Sequence, residues 1–337
     1  MTVARAFEKF HNSTLSRRYA ARDDIQPIYA TGLTAIVLHG TSNANATDSN
    51  SSVYSGDEQV AIKIVDKEKI LTTSGSSASE LPRAQFEAKL HESLPWHPHI
   101  VPLLAMEETQ AAVILITPYL PSGDLWDKIR YGDTILESEG RNFLAQVLRA
   151  LDVFHNQLSL IHGDMKPHNL LLREDHGKFI VQLCDFGLTE KVDLNPRTKK
   201  FQIPFTGLRG TSGYFAPEMI DQCDYGFAID VFALGVILFR MLAGYEPFYP
   251  PTNFADGPLF DENYWGHISA PCRDLVNRML AVDPDARISV AHALAHPWIV
   301  EQPETKPVSI GFGAPPNEAL KFHDPVMLGH DFQPVRR

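Results

Sequence analysis

Two apolar runs near the N-terminal end predict a pair of strands joined by a polar insertion. Residues 34–38 (Thr-Ala-Ile-Val-Leu) are β-branched and apolar, and residues 59–65 (Gln-Val-Ala-Ile-Lys-Ile-Val) alternate as a strand does. Residues 41–57 lie between them and are mostly Ser, Thr, Asn, Asp and Gly. Because so polar a segment has little to bury, we expect a hairpin that carries a disordered insert at 41–57.

The next apolar positions predict one helix and two short strands. Phe86, Leu90 and Leu94 recur every four residues, which is the spacing of one helical face, and Pro95 ends the pattern. Brief apolar runs at 100–106 and 112–117 then predict strands.

Helical patterns dominate the remainder of the chain. A single apolar stripe runs through residues 141–157, made of Leu144, Val147, Leu148, Leu151 and Phe154. Residues 231–242 are apolar nearly all round and predict a buried helix, and 272–280 and 290–294 predict shorter amphipathic helices. The expected fold class is therefore α+β, with a small strand-rich half followed by a larger helix-rich half.

Composition narrows the function classes. The chain has 337 residues, 44% of them hydrophobic, and a formal net charge of −11. This excludes wholesale disorder and argues against a broad nucleic-acid-binding surface. Three dispersed cysteines cannot form a disulfide framework or a four-ligand zinc site, so we expect a reduced protein of the cytoplasm or nucleus. The run at 231–242 is too short for a transmembrane segment.

The first 22 residues are basic and carry no continuous apolar core, which argues against a secretory signal. We expect a solvated amphipathic extension in front of the domain. A mitochondrial transit peptide remains the open alternative.

Two charged residues in the strand-rich half predict an ion pair. Lys63 lies inside the apolar strand run, where an unpaired ammonium group would be costly to desolvate. Glu87, on the following helix, is the natural partner, and a lysine so held could bind a polyphosphate.

Two short segments gather the strongest candidate chemistry. Residues 162–169 (His-Gly-Asp-Met-Lys-Pro-His-Asn) combine carboxylate, ammonium and amide groups, and residues 182–187 (Gln-Leu-Cys-Asp-Phe-Gly) add a second carboxylate. Asp185 and the amide oxygen of Asn169 are hard oxygen ligands suited to Mg²⁺. Asp164 is then free to orient a hydroxyl group and accept its proton.

Together these segments resemble the eukaryotic-type serine/threonine protein kinase family. The matching residues, in the family's order, are Val60-Ala-Ile-Lys63, Glu87, Asp164-x-Lys-Pro-x-Asn169, Asp185-Phe-Gly187, Gly210 to Glu218, Asp230 and Arg287. The resemblance covers about residues 25–299. It implies a bilobal fold with an N-lobe at about 25–117 and a C-lobe at about 121–299, flanked by an N-terminal extension at 1–24 and a tail at 300–337.

The resemblance also implies roles for individual residues. Asp164 would be the catalytic base, with Lys166 and Thr211 near the substrate hydroxyl, and Asn169 and Asp185 would hold Mg²⁺. The expected ATP contacts are Ala30, Gly32, Val37, Ala61, Lys63, Glu87, Thr117, Pro118, Leu120, Asp124 and Leu171. Glu218 with Arg287 resembles the family's buried ion pair, and Asp230 resembles the anchor of the catalytic loop.

The glycine-rich loop departs from the family pattern. Aligned on Val37, residues 30–37 keep only Gly32 of three glycines, which predicts a raised KM for ATP. The resemblance implies transfer of the γ-phosphate of Mg-ATP to serine or threonine in protein substrates. A pseudokinase scaffold that binds ATP poorly is the alternative, and a small-molecule phosphotransferase is a more distant one.

A second departure concerns regulation. Gly163 stands where the family carries the arginine that neutralises a phosphorylated activation-loop residue. We therefore expect activity that depends little on phosphorylation of Thr198 or Thr206. In the alternative interpretation, Lys199, Lys200 or Arg209 replaces that arginine.

Two features of the sequence bear on the choice of protein substrate. Asp124 and the acidic surface favour basic protein substrates, whereas His168, at a position where some relatives have a second carboxylate, argues against a requirement for several arginines. The histidines at 97, 99, 155 and 296 show no ligand spacing, so we interpret them as packing or hydrogen-bonding residues.

Overall fold

The chain forms two compact units, residues 1–121 and residues 122–337. The computed structural model describes residues 2–22, 35–42, 59–72, 80–196 and 198–300. The first unit is rich in strands and the second in helices, which confirms the predicted α+β class. Ala30, Gly32, residues 43–57 of the predicted insert and the tail from residue 301 lie outside the described residues.

The described part of the first unit contains one five-stranded antiparallel sheet in the order β1-β2-β3-β5-β4. Its strands are β1 (Tyr19–Ala21), β2 (Ala35–Ser42), β3 (Gln59–Asp66), β4 (Ala105–Glu108) and β5 (Ala112–Pro118). Its helices are α1 (Val3–His11), α2 (Lys67–Thr72) and α3 (Glu80–Ser93), with a 3-10 turn at Thr14–Arg17. Strands β2 and β3 pair antiparallel, so the predicted hairpin is confirmed.

The sheet has two unlike faces because successive side chains of a strand point to opposite sides. One face is fully apolar and packs against the N-terminal segment; its residues are Ile36, Leu38, Val60, Ile62, Ile64, Ala112, Ile114 and Ile116. On the other face, α3 covers Val65, Val113 and Leu115. The rest of that face carries Lys63 and other predicted ATP contacts.

The expectation of a solvated extension at residues 1–24 is wrong for residues 2–22. Ala6 and Phe10 of α1 are both 0% exposed and belong to the core of the sheet, together with Leu15 and Tyr19. The apolar face was hidden in the sequence because basic Arg5 and Lys9 directly precede Ala6 and Phe10, and Lys9 is itself buried. Strand β1 then pairs with the end of β2.

Helix α3 is confirmed, but its buried face is only partly the predicted one, because Leu90 is buried and Phe86 is not. Phe86 is 44% exposed, whereas Ala84 and Ala88 are buried against the sheet. Small residues permit a close approach of helix and sheet, so the two alanines, and not the larger Phe86, mark the packed side.

One strand and one loop begin at later residues than predicted. The strand expected at 100–106 begins only at Ala105, because Pro102 has no amide N–H for a strand ladder and the Val101 carbonyl accepts a hydrogen bond from His91 instead. The loop expected from residue 41 begins later, because Thr41 and Ser42 belong to β2 and pair with β1.

The second unit contains mostly helices. These are α4 (Leu125–Ile129), α5 (Glu137–Asp152), α6 (Pro217–Ile220), α7 (Ala228–Ala243), α8 (Glu262–Trp265), α9 (Ala270–Met279), α10 (Val290–Leu294) and α11 (Pro297–Val300). The short strands are β6 (Leu160–Ile161), β7 (Leu170–Asp175), β8 (Lys178–Leu183), β9 (Glu190–Lys191), β10 (Asp193–Leu194) and β11 (Phe201–Gln202). Among the described residues, no helix combines the length and apolar character that a membrane crossing requires.

Three of the predicted features of this unit are confirmed. The apolar stripe of α5 is buried, with Phe154 in the π-turn that follows the helix, and α7 is buried nearly throughout its length. The Arg287 guanidinium group donates to both carboxylate oxygens of Glu218, at 2.7 Å and 2.9 Å. This buried bidentate pair ties the segment after α9 to α6.

Candidate active site

The three residues predicted to be catalytic meet within the second unit. Asp164 follows β6 in an irregular loop, and its Oδ2 accepts a hydrogen bond of 2.7 Å from Lys166 Nζ. Its Oδ1 accepts one of 2.8 Å from Thr211 Oγ1, and Lys166 Nζ also donates to Thr211 Oγ1 at 3.0 Å. All three side chains are buried. The result is a closed triangle whose two donors, together with Asn169 Nδ2 at 3.2 Å from Oδ2, orient one carboxylate.

Asp230, in the first turn of α7, holds the start of this loop. Its carboxylate accepts hydrogen bonds from the backbone N–H groups of His162 (2.7 Å) and Gly163 (2.9 Å) and from His155 Nε2 (2.9 Å). Burial alone would raise the pKa of Asp230, but the hydrogen bond and charge of His155 and the Gly163 amide outweigh it and hold the pKa below its usual range. The prediction that Asp230 anchors the catalytic loop is confirmed.

Gly163 adopts a conformation that other residues rarely reach. Its φ is +80°, and a Cβ atom built there would lie 2.5 Å from the backbone oxygen of Leu188. Glycine thus permits both the positive φ and the close approach of the loop to residue 188. The residue that departs from the family pattern is therefore required by the local backbone.

His162 is a site residue to which the sequence analysis assigned no role. Its Nε2 donates to the Cys184 carbonyl at 3.0 Å, and its Nδ1 accepts from the Asp164 amide at 3.2 Å. The ring therefore links the catalytic loop to the segment that carries Asp185. In the sequence, this link could have been inferred from the position of the histidine, which directly precedes Gly163-Asp164 at the end of an apolar strand.

The two predicted metal ligands flank one end of the β7–β8 hairpin. Asn169 directly precedes β7, and its backbone oxygen accepts from the Cys184 amide at 3.0 Å. Asn169 Nδ2 donates to the Asp164 backbone oxygen at 2.8 Å, which leaves the amide oxygen as the group able to bind a cation. The hairpin therefore brings Asn169 next to the residue that precedes Asp185.

Asp185 is held in a strained conformation by its apolar neighbour. Its φ is +61°, and its side chain is exposed. Phe186 is buried and its ring lies 5.5 Å from that of Phe154 and 5.9 Å from that of His162. Strain of this kind persists where the surroundings enforce it, and the packing of Phe186 does so here.

Asp124 and Leu171 are neighbours in the second unit. The two residues form an isolated antiparallel bridge, and Asp124 also caps α4 by accepting a hydrogen bond from the Asp127 amide at 3.1 Å. Burial raises the pKa of Asp124 to about 6, with the Asp127 amide acting in the opposite direction. This carboxyl group therefore changes charge closer to neutrality than an ordinary aspartate.

The ion pair predicted in the first unit is present. Lys63 Nζ lies 2.5 Å from Glu87 Oε1, and the Lys63 side chain is 25% exposed. One helical turn after Glu87, His91 Nε2 donates to the Val101 carbonyl at 2.8 Å. Burial lowers the pKa of His91 to about 4. The neutral imidazole thus links the end of α3 to the following loop.

The remaining described ATP candidates of the first unit surround Lys63 on its sheet face. Val37 lies opposite Lys63 in β2, and Thr117 lies opposite Ala61 in β5, so all four share one side of the sheet. Pro118 ends β5, and Leu120 is buried two residues later. The two other predicted ATP contacts, Ala30 and Gly32, lie outside the described residues.

The other histidines make ordinary contacts. His296 Nε2 lies 2.9 Å from Asp274 Oδ2, and the rings of His97 and His99 pack edge to face. His168 stacks on Trp126 with ring centroids 5.1 Å apart. Together with the His155–Asp230 contact, these observations confirm that the singled-out histidines pack or form hydrogen bonds.

Comparison with known proteins agrees with this geometry. The family described as "Protein kinase domain" matches residues 49–299, more than half of the chain. The calcium/calmodulin-dependent protein kinase type 1 of Macrobrachium nipponense is 35% identical over 250 residues, which are 71% of this chain and 67% of the relative. The protein of that name from Caenorhabditis elegans is 30% identical over 295 residues, covering 86% and 76%.

A third relative, the human serine/threonine-protein kinase DCLK3, is 33% identical over 259 residues. The match covers 74% of this chain but only 37% of that longer relative. The family match and the two preceding relatives decide the assignment. The chain therefore belongs to the protein kinase family and is a serine/threonine protein kinase, an enzyme that uses ATP together with a divalent metal ion.

Proposed function

We propose that Asp164 is the base through which this kinase phosphorylates serine and threonine side chains of protein substrates. The observation that carries the proposal is the triangle of Asp164, Lys166 and Thr211. Its hydrogen bonds aim one carboxylate while burial excludes bulk water. As the substrate oxygen attacks the γ-phosphorus of ATP, Asp164 accepts the hydroxyl proton, and the bond from that phosphorus to the β-bridging oxygen breaks.

The other polar residues position the nucleotide. Lys63, kept in place by Glu87, binds the α- and β-phosphates as a point charge. The divalent metal is Mg²⁺ in this proposal, held by the Asn169 amide oxygen and the Asp185 carboxylate. This hard oxygen set fits Mg²⁺, and when bound the ion neutralises charge on the phosphate oxygens.

A comparison of Asp164→Asn with the wild type tests the proposal. Transfer of labelled phosphate from ATP to a library of serine and threonine peptides is measured at equal protein concentration. We expect kcat to fall by roughly 10²- to 10⁴-fold, since asparagine cannot accept the proton. The exposed Asp221→Asn variant is the matched control and should keep the wild-type rate. Equal transfer by wild type and Asp164→Asn would refute the assignment.

Basic protein substrates are the second part of the proposal. Asp124 is the carboxylate that would attract a basic residue of the substrate, and its raised pKa requires assays well above pH 6. Trp126, stacked on His168, also lies 4.1 Å from the guanidinium carbon of Arg240. His168 is not a carboxylate, so it gives a second substrate arginine no acidic partner. In the same peptide library, Asp124→Asn should therefore remove a preference for a single basic residue.

The third part concerns regulation. We infer that activity depends little on activation-loop phosphorylation, because Gly163 replaces the arginine that would bind the phosphate. Two of the possible substitutes are already engaged, since Lys200 pairs with Asp285 and Arg209 lies 3.4 Å from Glu190. Phosphatase-treated protein should keep most of its rate. A large loss would indicate that one of these cations, or Lys199, binds a phosphorylated residue.

Localisation in the cytoplasm or nucleus stays a prediction from the cysteine content. The raised KM for ATP stays a prediction as well, because residues 30–34 of the glycine-poor loop lie outside the described residues.

A further inference from the structure

A buried ionic cluster joins the N-terminal helix to the strand that carries Lys63. Asp66, at the end of β3, is 0% exposed; its Oδ2 lies 2.6 Å from Arg5 Nε and its Oδ1 lies 3.2 Å from Lys9 Nζ. Asp66 Oδ1 also accepts from the Lys69 amide at 3.1 Å. Arg5 reaches Glu68 as well, at 2.8 Å. A carboxylate so buried requires opposite charges nearby, and helix α1 supplies two.

The cations of α1 also affect the pKa of Asp66. Burial alone would raise the pKa of Asp66, but hydrogen bonds from Lys69 and Lys9 and the charges of Lys9 and Arg5 outweigh it and lower the pKa below its usual value. Asp66 is therefore ionised at neutral pH. Removing both cations would leave a buried charge with the Lys69 amide but without its two cationic partners on α1.

Further contacts hold residues 2–22 on the sheet. Ala6 and Phe10 pack on its apolar face. Glu107 Oε2, on β4, accepts hydrogen bonds from the Thr14 amide (2.8 Å), the Thr14 hydroxyl (2.7 Å) and the Leu15 amide (3.1 Å). The segment is thus fixed at both ends, and Asp66 is its ionic contact with the strand that carries the nucleotide-binding lysine.

Asp66 connects both partners of the Lys63–Glu87 pair. It lies three residues after Lys63 on the same strand, and it caps α2 through Lys69. Ile70 of α2 packs in one apolar cluster with Ala84 and Ala88 of α3, the helix that carries Glu87. A shift of Asp66 would therefore move β3 on one side and, through α2, α3 on the other.

We propose that Arg5, Lys9 and Asp66 are positioning residues for ATP, which align Lys63 with Glu87 through the shared end of β3 and the start of α2. The proposal rests on the proposed function, in which Lys63 binds the phosphates. It makes the N-terminal segment, which lies outside the matched family region, part of the nucleotide-binding apparatus.

The test is the double variant Arg5→Met/Lys9→Met, which keeps long side chains and removes both charges. We expect the KM for ATP to rise about fivefold, at the lower end of couplings between sites, with the KM for the peptide unchanged. The matched control is Arg149→Met/Lys178→Met. It removes two exposed cations of the second unit and so reproduces any general effect of net charge on a polyanion.

Three results would distinguish a role in positioning Lys63 and Glu87 from a general effect on stability or net charge. A purely structural role would lower the rate per milligram through loss of folded protein and leave both KM values unchanged, and this outcome overturns the proposal. The charge-preserving variant Arg5→Lys/Lys9→Arg should restore the ATP KM. An equal rise in the control would also overturn it, since net charge would then be the cause.

Equilibrium binding of a fluorescent ATP analogue, without peptide, makes the outcome independent of phosphate transfer. Weaker binding by Arg5→Met/Lys9→Met than by the control supports the proposal even if no peptide is phosphorylated. Absence of transfer by the wild type with intact binding would refute only the proposed function. Absence of binding by the wild type would overturn both.

Discussion

The two units of this kinase hold their charged side chains in different ways. In the second unit, residues 162–169 form one short loop whose groups are bound to each other and to Asp230, a single buried carboxylate. In the first unit, Lys63 and Glu87 come from two separate elements, β3 and α3, and meet at one partly exposed contact. The catalytic loop is thus determined locally, whereas the phosphate-binding pair depends on the alignment of two elements.

Because of this difference, we expect substitutions in the two units to change different kinetic constants. A fault in the loop misplaces the base and should reduce the rate of chemistry. A fault in the sheet or in α3 separates a pair that binds substrate and should weaken ATP binding. The comparison therefore predicts which kinetic constant each variant changes.

Among the variants that test this comparison, Asp230→Asn has the largest expected effect. The amide keeps an acceptor oxygen but loses the charge that holds two backbone N–H groups and His155. We expect kcat to fall roughly 100-fold, as for a displacement of about 1 Å at a reacting group, while the KM for ATP stays nearly constant. The free energy of unfolding should fall by about 3 kcal/mol. Steady-state kinetics and urea unfolding measure both, and a raised ATP KM at normal kcat would contradict the comparison.

Gly163→Ala examines the same loop through its backbone. The methyl group would meet the Leu188 oxygen at 2.5 Å in addition to the strain of the positive φ, so we expect a loss of about 2 kcal/mol in unfolding free energy. Gly177→Ala is the matched control, because Gly177 has a φ of +76° with no atom within 4 Å of the added carbon. It should lose only about 1 kcal/mol. Equal losses would show that no steric contact restricts residue 163.

Glu87→Gln examines the pair in the first unit. Glutamine retains a hydrogen-bonding group but no charge, so Lys63 should occupy its position less often. We expect the KM for ATP to rise about tenfold, equivalent to ~1.4 kcal/mol, with a smaller change in kcat. Glu92→Gln, an exposed position on the same helix, is the control. A fall in kcat without a change in KM would mean that this pair acts in the chemical step instead.

The same division explains what the sequence could predict. Residues 162–169 are close in sequence, so the segment alone identified Asp164, Lys166 and Asn169 as one site. The stripe of α5 and the apolar α7 were predicted for a similar reason, since each long pattern lies within one helix. Lys63 and Glu87 were predicted because a buried lysine requires a partner and Glu87 lies on the helix that follows the strand.

Contacts between distant segments were not predictable in this way. The partners of Asp66 lie about sixty residues earlier, in a helix whose basic residues suggested solvation, and nothing local to Asp66 indicates burial. Leu90 was assigned correctly to the packed face of α3, but Phe86 was assigned wrongly because of its large apolar side chain. Only the sheet shows that Ala84 and Ala88 allow the closer approach.

The smallest effect concerns His91 and the pH dependence of the first unit. His91 is buried with a pKa of about 4, whereas in the unfolded chain the value is near 6.5. As pH falls below 6.5, the unfolded chain binds a proton that the folded chain does not, so stability present above 6.5 is progressively lost. Between pH 7.5 and pH 6 this single group should cost about 0.8 kcal/mol of unfolding free energy. Urea unfolding of wild type and His91→Leu at both pH values isolates it, because all other histidines are common to the two proteins. The wild type should lose more stability than His91→Leu by that amount; equal losses would mean that His91 is not the buried neutral link that holds α3, and with it Glu87, against the loop at Val101.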